Sequence, residues 1–395
     1  MMLAAALAAG ARGEEPAPVV GANTGFACAF YQQAKGREGN LFFSPYSIST
    51  ALAMTYGGAR GGTAKQMEQA LGFGALGQAG VHPAFAALQT ELNRIQKKGK
   101  VQLSIANSIW PHKKHTLRPE YVDLLKSRYD VAVTPQDYGA AAEQARTAIN
   151  TWVEDHTNRK IKDLIPAGVL NALTRLVLAN AIYFKGTWAA KFEPRSTRNA
   201  PFHLAAGKQV EAPFMHKSAR YKYAERDGLQ VLELPYEGND LSMVVLLPAA
   251  ADGLAAVENQ LAAEKLAAWT GGLRSREVRV FLPKFRMTWQ AGLNEMLAAL
   301  GMKDAFTESA DLSGMGGRPG DLYISAVIHK AFVEVNEEGT EAAAATAVAV
   351  EVTSISMDEP PEFRADRPFL FIIRENKTGS VLFIGRLADP TAAGA

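Results

Sequence analysis

The sequence predicts an α+β fold in one cooperative domain, and three observations predict it. Helical periodicity dominates the first third, strand-like apolar runs dominate from about residue 175, and helices and strands then mix without the alternation of a parallel doubly wound sheet. No internal repeat and no long linker divides the chain, so residues 22–390 read as a single domain behind a disordered or processed segment at 1–21.

Taken in order, the opening stretch Met-Met-Leu-Ala-Ala-Ala-Leu-Ala-Ala-Gly-Ala is apolar and ends in a small-x-small pattern, but it lacks the positive leader of a secretory signal. A remnant signal peptide and an Ala-rich tail both stay open. Ser44-Pro45 opens a helix over 47–56, and Gly57-Gly58 stops it. Thr63 with Gln66 has the spacing of a capping box for a second helix ending at Leu71 before Gly72. A third helix is expected over 143–158, with Ile149, Trp152 and Val153 on one face. Residues 176–184 are almost continuously apolar, as in a strand buried on both faces. Further strands are expected at 229–233, 241–247, 278–282, 331–335, 369–374 and 381–387, with a helix at 293–300.

With 395 residues, 48% hydrophobic, and a net charge of +2, the chain has ample core and no electrostatic case for nucleic acid or an anionic membrane. No run is long and apolar enough to span a bilayer. Lys97, Lys98 and Lys100 read as a solvated turn, with polyanion binding the minor alternative. The lone Cys28 lies in an apolar run and excludes an internal disulfide. His112 and His115 have metal-like spacing but flank two lysines, so an exposed turn is expected and no metal or cofactor is assigned. Asn376-Lys377-Thr378 is a glycosylation sequon only in a chain secreted by a eukaryote.

Residues 337–361 fit none of these classes. A connection of such length between two strands is uncommon unless it has a function or is disordered. From Thr340 the even positions are Thr340, Ala342, Ala344, Thr346, Val348, Val350 and Val352, all small or β-branched, while Glu341 and Glu351 fall on odd positions. Because a strand turns alternate side chains to opposite faces, the run could enter a sheet with its compact face inward and its acids outward. Gly339 at its base reads as a hinge, although Ala342, Ala343, Ala344 and Ala345 equally suit a helix or linker.

The segment Glu337-Glu338-Gly339-Thr340-Glu341-Ala342-Ala343-Ala344-Ala345-Thr346 resembles the hinge of inhibitory serpins. Asn40-Leu41-Phe42-Phe43-Ser44-Pro45-Tyr46-Ser47-Ile48, Asn150-Thr151-Trp152-Val153 and the stretch from Ala179 to Trp188 look like further serpin signatures in family order. Leu282-Pro283-Lys284-Phe285, Ala365-Asp366-Arg367-Pro368-Phe369 and Phe383-Ile384-Gly385-Arg386 extend the resemblance to the end of the domain.

The resemblance implies three β-sheets, eight or nine helices and a reactive loop exposed above a five-stranded central sheet. It also implies a partner: a target serine protease, captured as a covalent acyl complex when the cleaved loop inserts into that sheet. Counting by family spacing from Gly339 places the reactive bond at Thr353-Ser354, with Val350, Glu351 and Val352 as the recognition residues. Val352-Thr353 and Met357-Asp358 remain open. The absence of a basic anchor there points to elastase-like or subtilisin-like proteases.

Ser44, Ser47, Asn180 and His329 match a hydrogen-bonded cluster beneath the sheet, where the strands part. Lys284 and Glu337 match an ion pair at the top of the sheet near Trp188. No enzyme is expected, since neither serine lies in a nucleophile elbow. The alternative function within the family is a non-inhibitory carrier, chaperone or storage protein. A monomer in an extracellular or periplasmic setting is expected, with the cytoplasm open.

Overall fold

A computed structural model describes residues 17–131, 133–340 and 359–392. The described residues form nine α-helices: α1 (Ala17–Ala34), α2 (Pro45–Gly58), α3 (Gly61–Leu71), α4 (Gly77–Lys97), α5 (Pro119–Tyr129), α6 (Ala142–His156), α7 (Leu254–Gln260), α8 (Ala263–Thr270) and α9 (Asn294–Ala299). Their strands are β1 (Leu41–Phe43), β2 (Val101–Pro111), β3 (Leu176–Thr187), β4 (Arg198–His203), β5 (Gln209–Arg226), β6 (Leu229–Pro235), β7 (Leu241–Pro248), β8 (Arg274–Pro283), β9 (Phe285–Gly292), β10 (Ile324–Asn336), β11 (Gly339–Thr340), β12 (Glu362–Arg364), β13 (Phe369–Glu375) and β14 (Val381–Leu387).

The domain begins earlier than expected, because α1 starts at Ala17 and already buries Val19 and Val20. The first 16 residues lie outside the described ones. The helix expected at 47–56 is α2, and Ser44 caps it by accepting a hydrogen bond from the Ser47 amide. The capping box is overturned. Helix α3 begins at Gly61 behind Arg60, so Thr63 and Gln66 lie inside it and spend their oxygens on the backbone amides of Asp311 and Asp304.

Five strands in the order β2-β3-β11-β10-β9 make the central sheet. Its middle joins β3 to β10 in parallel from Leu176 and Ile324 up to Tyr183 and Phe332. The remaining two expected sheets are joined by β5, whose 18 residues pair with β4 and β8 and then, at their end, with β6. This gives one nine-stranded network in hydrogen-bonding terms.

The apolar run of β3 has a two-sided explanation. Leu176, Leu178, Ile182 and Phe184 enter the main core beneath the sheet, while Val177, Ala179, Ala181 and Tyr183 meet Ile149 and Val153 of α6 on the other face. The segment after α6 is tied across the sheet. Asn150 grips the backbone of Ile165 with both ends of its amide, Lys330 of β10 donates to Lys162 O, Gln290 of β9 donates to Leu164 O, and Asn158 reaches Ser104 of β2.

Candidate functional site

Two clusters lie along the junction of β3 and β10. The lower one gathers all four expected residues. His329 and Asn180 face each other in the parallel ladder, both wholly buried, and His329 Nδ1 hydrogen-bonds Asn180 Oδ1. The other ring nitrogen, Nε2, accepts from the Ser44 amide at 3.3 Å. That pattern demands a neutral imidazole with its proton on Nδ1. Burial agrees, holding His329 down to about 3.

The Asn180 amide donates to Ser47 Oγ at 2.8 Å and to Asn107 Oδ1, while Ser44 Oγ donates to Leu382 O at 2.6 Å. Asn107 was missing from the expected set. It also accepts from Ser47 Oγ at 2.9 Å, and the only local signal for it was an amide beside a serine between the apolar residues of Ile105-Ala106-Asn107-Ser108-Ile109 in β2. Each of the five side chains is buried and hydrogen-bonded, so the cluster ties β2, β3, β10 and the start of α2 together.

The upper cluster is at the mouth of the sheet. Lys284 Nζ pairs with Glu337 Oε2 at 2.8 Å, and Thr197 Oγ1 donates to Glu337 Oε1 at 2.8 Å. Burial pushes the Glu337 carboxyl up, but hydrogen bonds from Lys284, a backbone amide and Thr197 outweigh it and hold the group below the ordinary range. The pair is more buried than a surface bridge, with the Glu337 side chain only 11% exposed.

Trp188 donates its indole N–H to Asn336 O at 2.9 Å and its backbone N–H to Glu338 O at 2.8 Å. Its ring stacks on Tyr236 at 4.7 Å and 10°. Gly339 and Thr340, expected in the exposed hinge, instead form β11. Thr340 pairs with Val335 of β10 on one side and Gly186 of β3 on the other, with no exposed surface. Thr340 therefore stands in the sheet of the intact chain. A Cβ on Gly339 would lie 2.0 Å from Gly186 O, so only glycine permits this approach.

The remaining candidates, Glu341, Ala342, Ala343, Ala344, Ala345, Val350, Glu351, Val352, Thr353, Ser354 and Met357, lie outside the described residues.

A family model described as Serpin (serine protease inhibitor) matches residues 21–390. The chain belongs to the serpin family. The leukocyte elastase inhibitor of Bos taurus is 43% identical over 379 residues, covering 93% of this chain and 98% of the relative. Human Serpin B3 is 43% identical over 388 residues, with 93% and 98% covered. Among solved structures, the native stressed conformation of the Arabidopsis serpin AtSerpin1 superposes with a TM-score of 0.84 at 31% identity, covering 96% of this chain and all of that one.

Other serpin residues behave as packing groups. Cys28 is buried and its thiol is pushed up to about 12, by burial first and Glu264 second. Lys98 and Lys100 pair with Asp240 and Glu237 at the surface. His112 corrects the exposed-turn expectation: it is 4% exposed and packs against Tyr138, while His115 stays half-buried. The Asn376 amide donates to Asn239 O and accepts from Ser242, so the sequon asparagine already braces a turn. No helix of the described residues is long and apolar enough to cross a membrane.

Proposed function

We propose that this serpin is a single-use inhibitor of serine proteases, elastase-like or subtilisin-like, that traps the acyl-enzyme by drawing its cleaved loop into the central sheet. The observation that carries the reading is β11, two hinge residues seated between strands that are paired directly to each other just below. Serpin loop insertion is itself a stock example of stored strain released by a cut.

The register supports the assignment of the bond. Each step along the loop from Thr340 is one step back along both β3 and β10. Thr346 then arrives between Asn180 and His329, with its side chain on the buried face that Thr340 already occupies. Val350 arrives level with Leu176, where β3 begins, so Thr353 clears the end of that strand by three residues. A cut at Thr353-Ser354, or at the neighbouring Val352-Thr353, gives a strand that fills the sheet. A cut after Met357 would leave seven residues overhanging.

Chemically, the protease serine attacks the Thr353 carbonyl, the Thr353-Ser354 bond breaks, and the new amine leaves with the fragment that begins at Ser354. The small β-branched Thr353, preceded by Val350, Glu351 and Val352, suits a shallow apolar pocket, and the name of the bovine relative supports the same protease class. For the monomer an extracellular or periplasmic setting is kept, with the cytoplasm still open.

Incubation with an elastase-like or subtilisin-like protease is expected to give a complex that survives boiling in detergent, at the mass of protease plus residues up to Thr353. Cleaved chain alone with every such protease would favour the non-inhibitory alternative.

A further inference from the structure

We infer that Tyr236 is a positioning residue for insertion: its hydroxyl seats Thr340 as the first inserted residue and so fixes which face of the following strand turns inward. The inference rests on the inhibitory reading above.

Tyr236 occupies the turn between β6 and β7, outside the central sheet, yet the backbone on either side of it and its own ring are fastened to the end of β3. Ala189 N donates to Pro235 O at 2.9 Å and Glu237 N to Thr187 O at 2.7 Å. The ring lies flat on Trp188 and edge-on to Phe184 at 5.0 Å and 74°. Gly186 makes room, since a Cβ there would stand 2.7 Å from Tyr236 Cδ1. So held, the phenol has no freedom to follow the loop.

Its hydroxyl meets Thr340 Oγ1 at 2.8 Å, and both residues are wholly buried. One hydrogen bond joins the two hydroxyls, either of which can donate, where water does not reach. Withdrawing Thr340 would strand the Tyr236 hydroxyl in the core, and seating it one residue out of step would present Glu341 to the same phenol, an acid on the buried face. Because side chains alternate with period two, seating Thr340 inward commits every even-numbered loop residue to the inside. The contact thus supplies both a formed first rung and the correct parity when the loop is cut.

The test uses the full chain and two readouts. In partition experiments with an elastase-like protease, Tyr236→Phe and Thr340→Val are each expected to lower the ratio of trapped complex to released cleaved chain by at least two-fold. Thr340→Ser, which keeps the hydroxyl, is expected to stay near the wild-type ratio, and the double variant Tyr236→Phe/Thr340→Val to be no worse than the worse single variant.

Hydrogen exchange of the intact chain is expected to quicken at least ten-fold at the Gly339 and Thr340 amides in both single variants. An unchanged partition in Tyr236→Phe, additive losses in the double variant, or unchanged exchange would each overturn the inference. A wild-type chain that traps no protease would instead sink the inhibitory reading, and exchange would still decide the seating of Thr340.

Discussion

A guanidinium at position 340 would enter a site where the native side chain has no exposed surface and a hydroxyl for its partner. An arginine desolvated there without a counter-charge is costly, so Thr340→Arg is expected to keep the loop out of the sheet and turn the chain from inhibitor into substrate. Gel analysis should show complete cleavage and no complex; undiminished trapping would contradict the register.

At the same scale, His329 and His82 are buried and held down to about 3 and about 4, against 6.5 for a free imidazole. The unfolded chain takes up protons below about 6.5 that the folded chain refuses, so this contribution is complete above that pH and is lost as pH falls towards those values. Each pH unit in that window is worth at most about 1.4 kcal/mol per histidine. Melting midpoints measured across the window should fall, and His329→Gln should flatten the slope even while lowering the plateau.

The sequence made Ser44, Ser47 and Asn180 legible because they sit in distinctive strings, and His329 by its place in the family order. Asn107 and Tyr236 were not, since one amide in a strand and one tyrosine in a turn take their meaning only from what the fold brings beside them.

Elements tell a different story. The helices and strands with clean apolar periodicity, such as α2, α6, β3 and β14, stand where the pattern puts them. The capping box failed because Thr63 and Gln66 found partners about 240 residues away, a tertiary demand no local spacing records. Strand β5 was illegible for a related reason, as Lys217, Arg220, Lys222 and Glu225 break up an apolar alternation that still buries Tyr221 and Tyr223. β11 is two residues long, too short for any periodicity.

The prediction at this scale concerns the clamp on the sheet mouth. Lys284→Met removes the cation beside a carboxylate that is only 11% exposed but keeps its bond from Thr197, and should lower equilibrium stability by only about 1 kcal/mol. Its expected effect is kinetic. Warmed below its melting point, the variant should lose inhibitory capacity faster than the parent, as measured by residual trapping over time. An equal rate would mean the pair does not guard the opening.

For the whole molecule, cutting the loop should raise the melting temperature sharply, because the nicked chain acquires a strand along the length of β3 and β10. Calorimetry before and after cleavage checks this, and mass spectrometry of the released fragment should begin at Ser354. Equal melting would count against the mechanism.

Direction matters as much as length in that exchange. The β3–β10 ladder is parallel, whereas β11 runs antiparallel to both neighbours. Complete entry of the loop would therefore replace one slanted seam, the weaker kind of pairing per residue, with two seams of straight hydrogen bonds. The polarity of two strands laid down when the chain first folded is thus a reservoir in its own right, one that no substitution in the loop can drain.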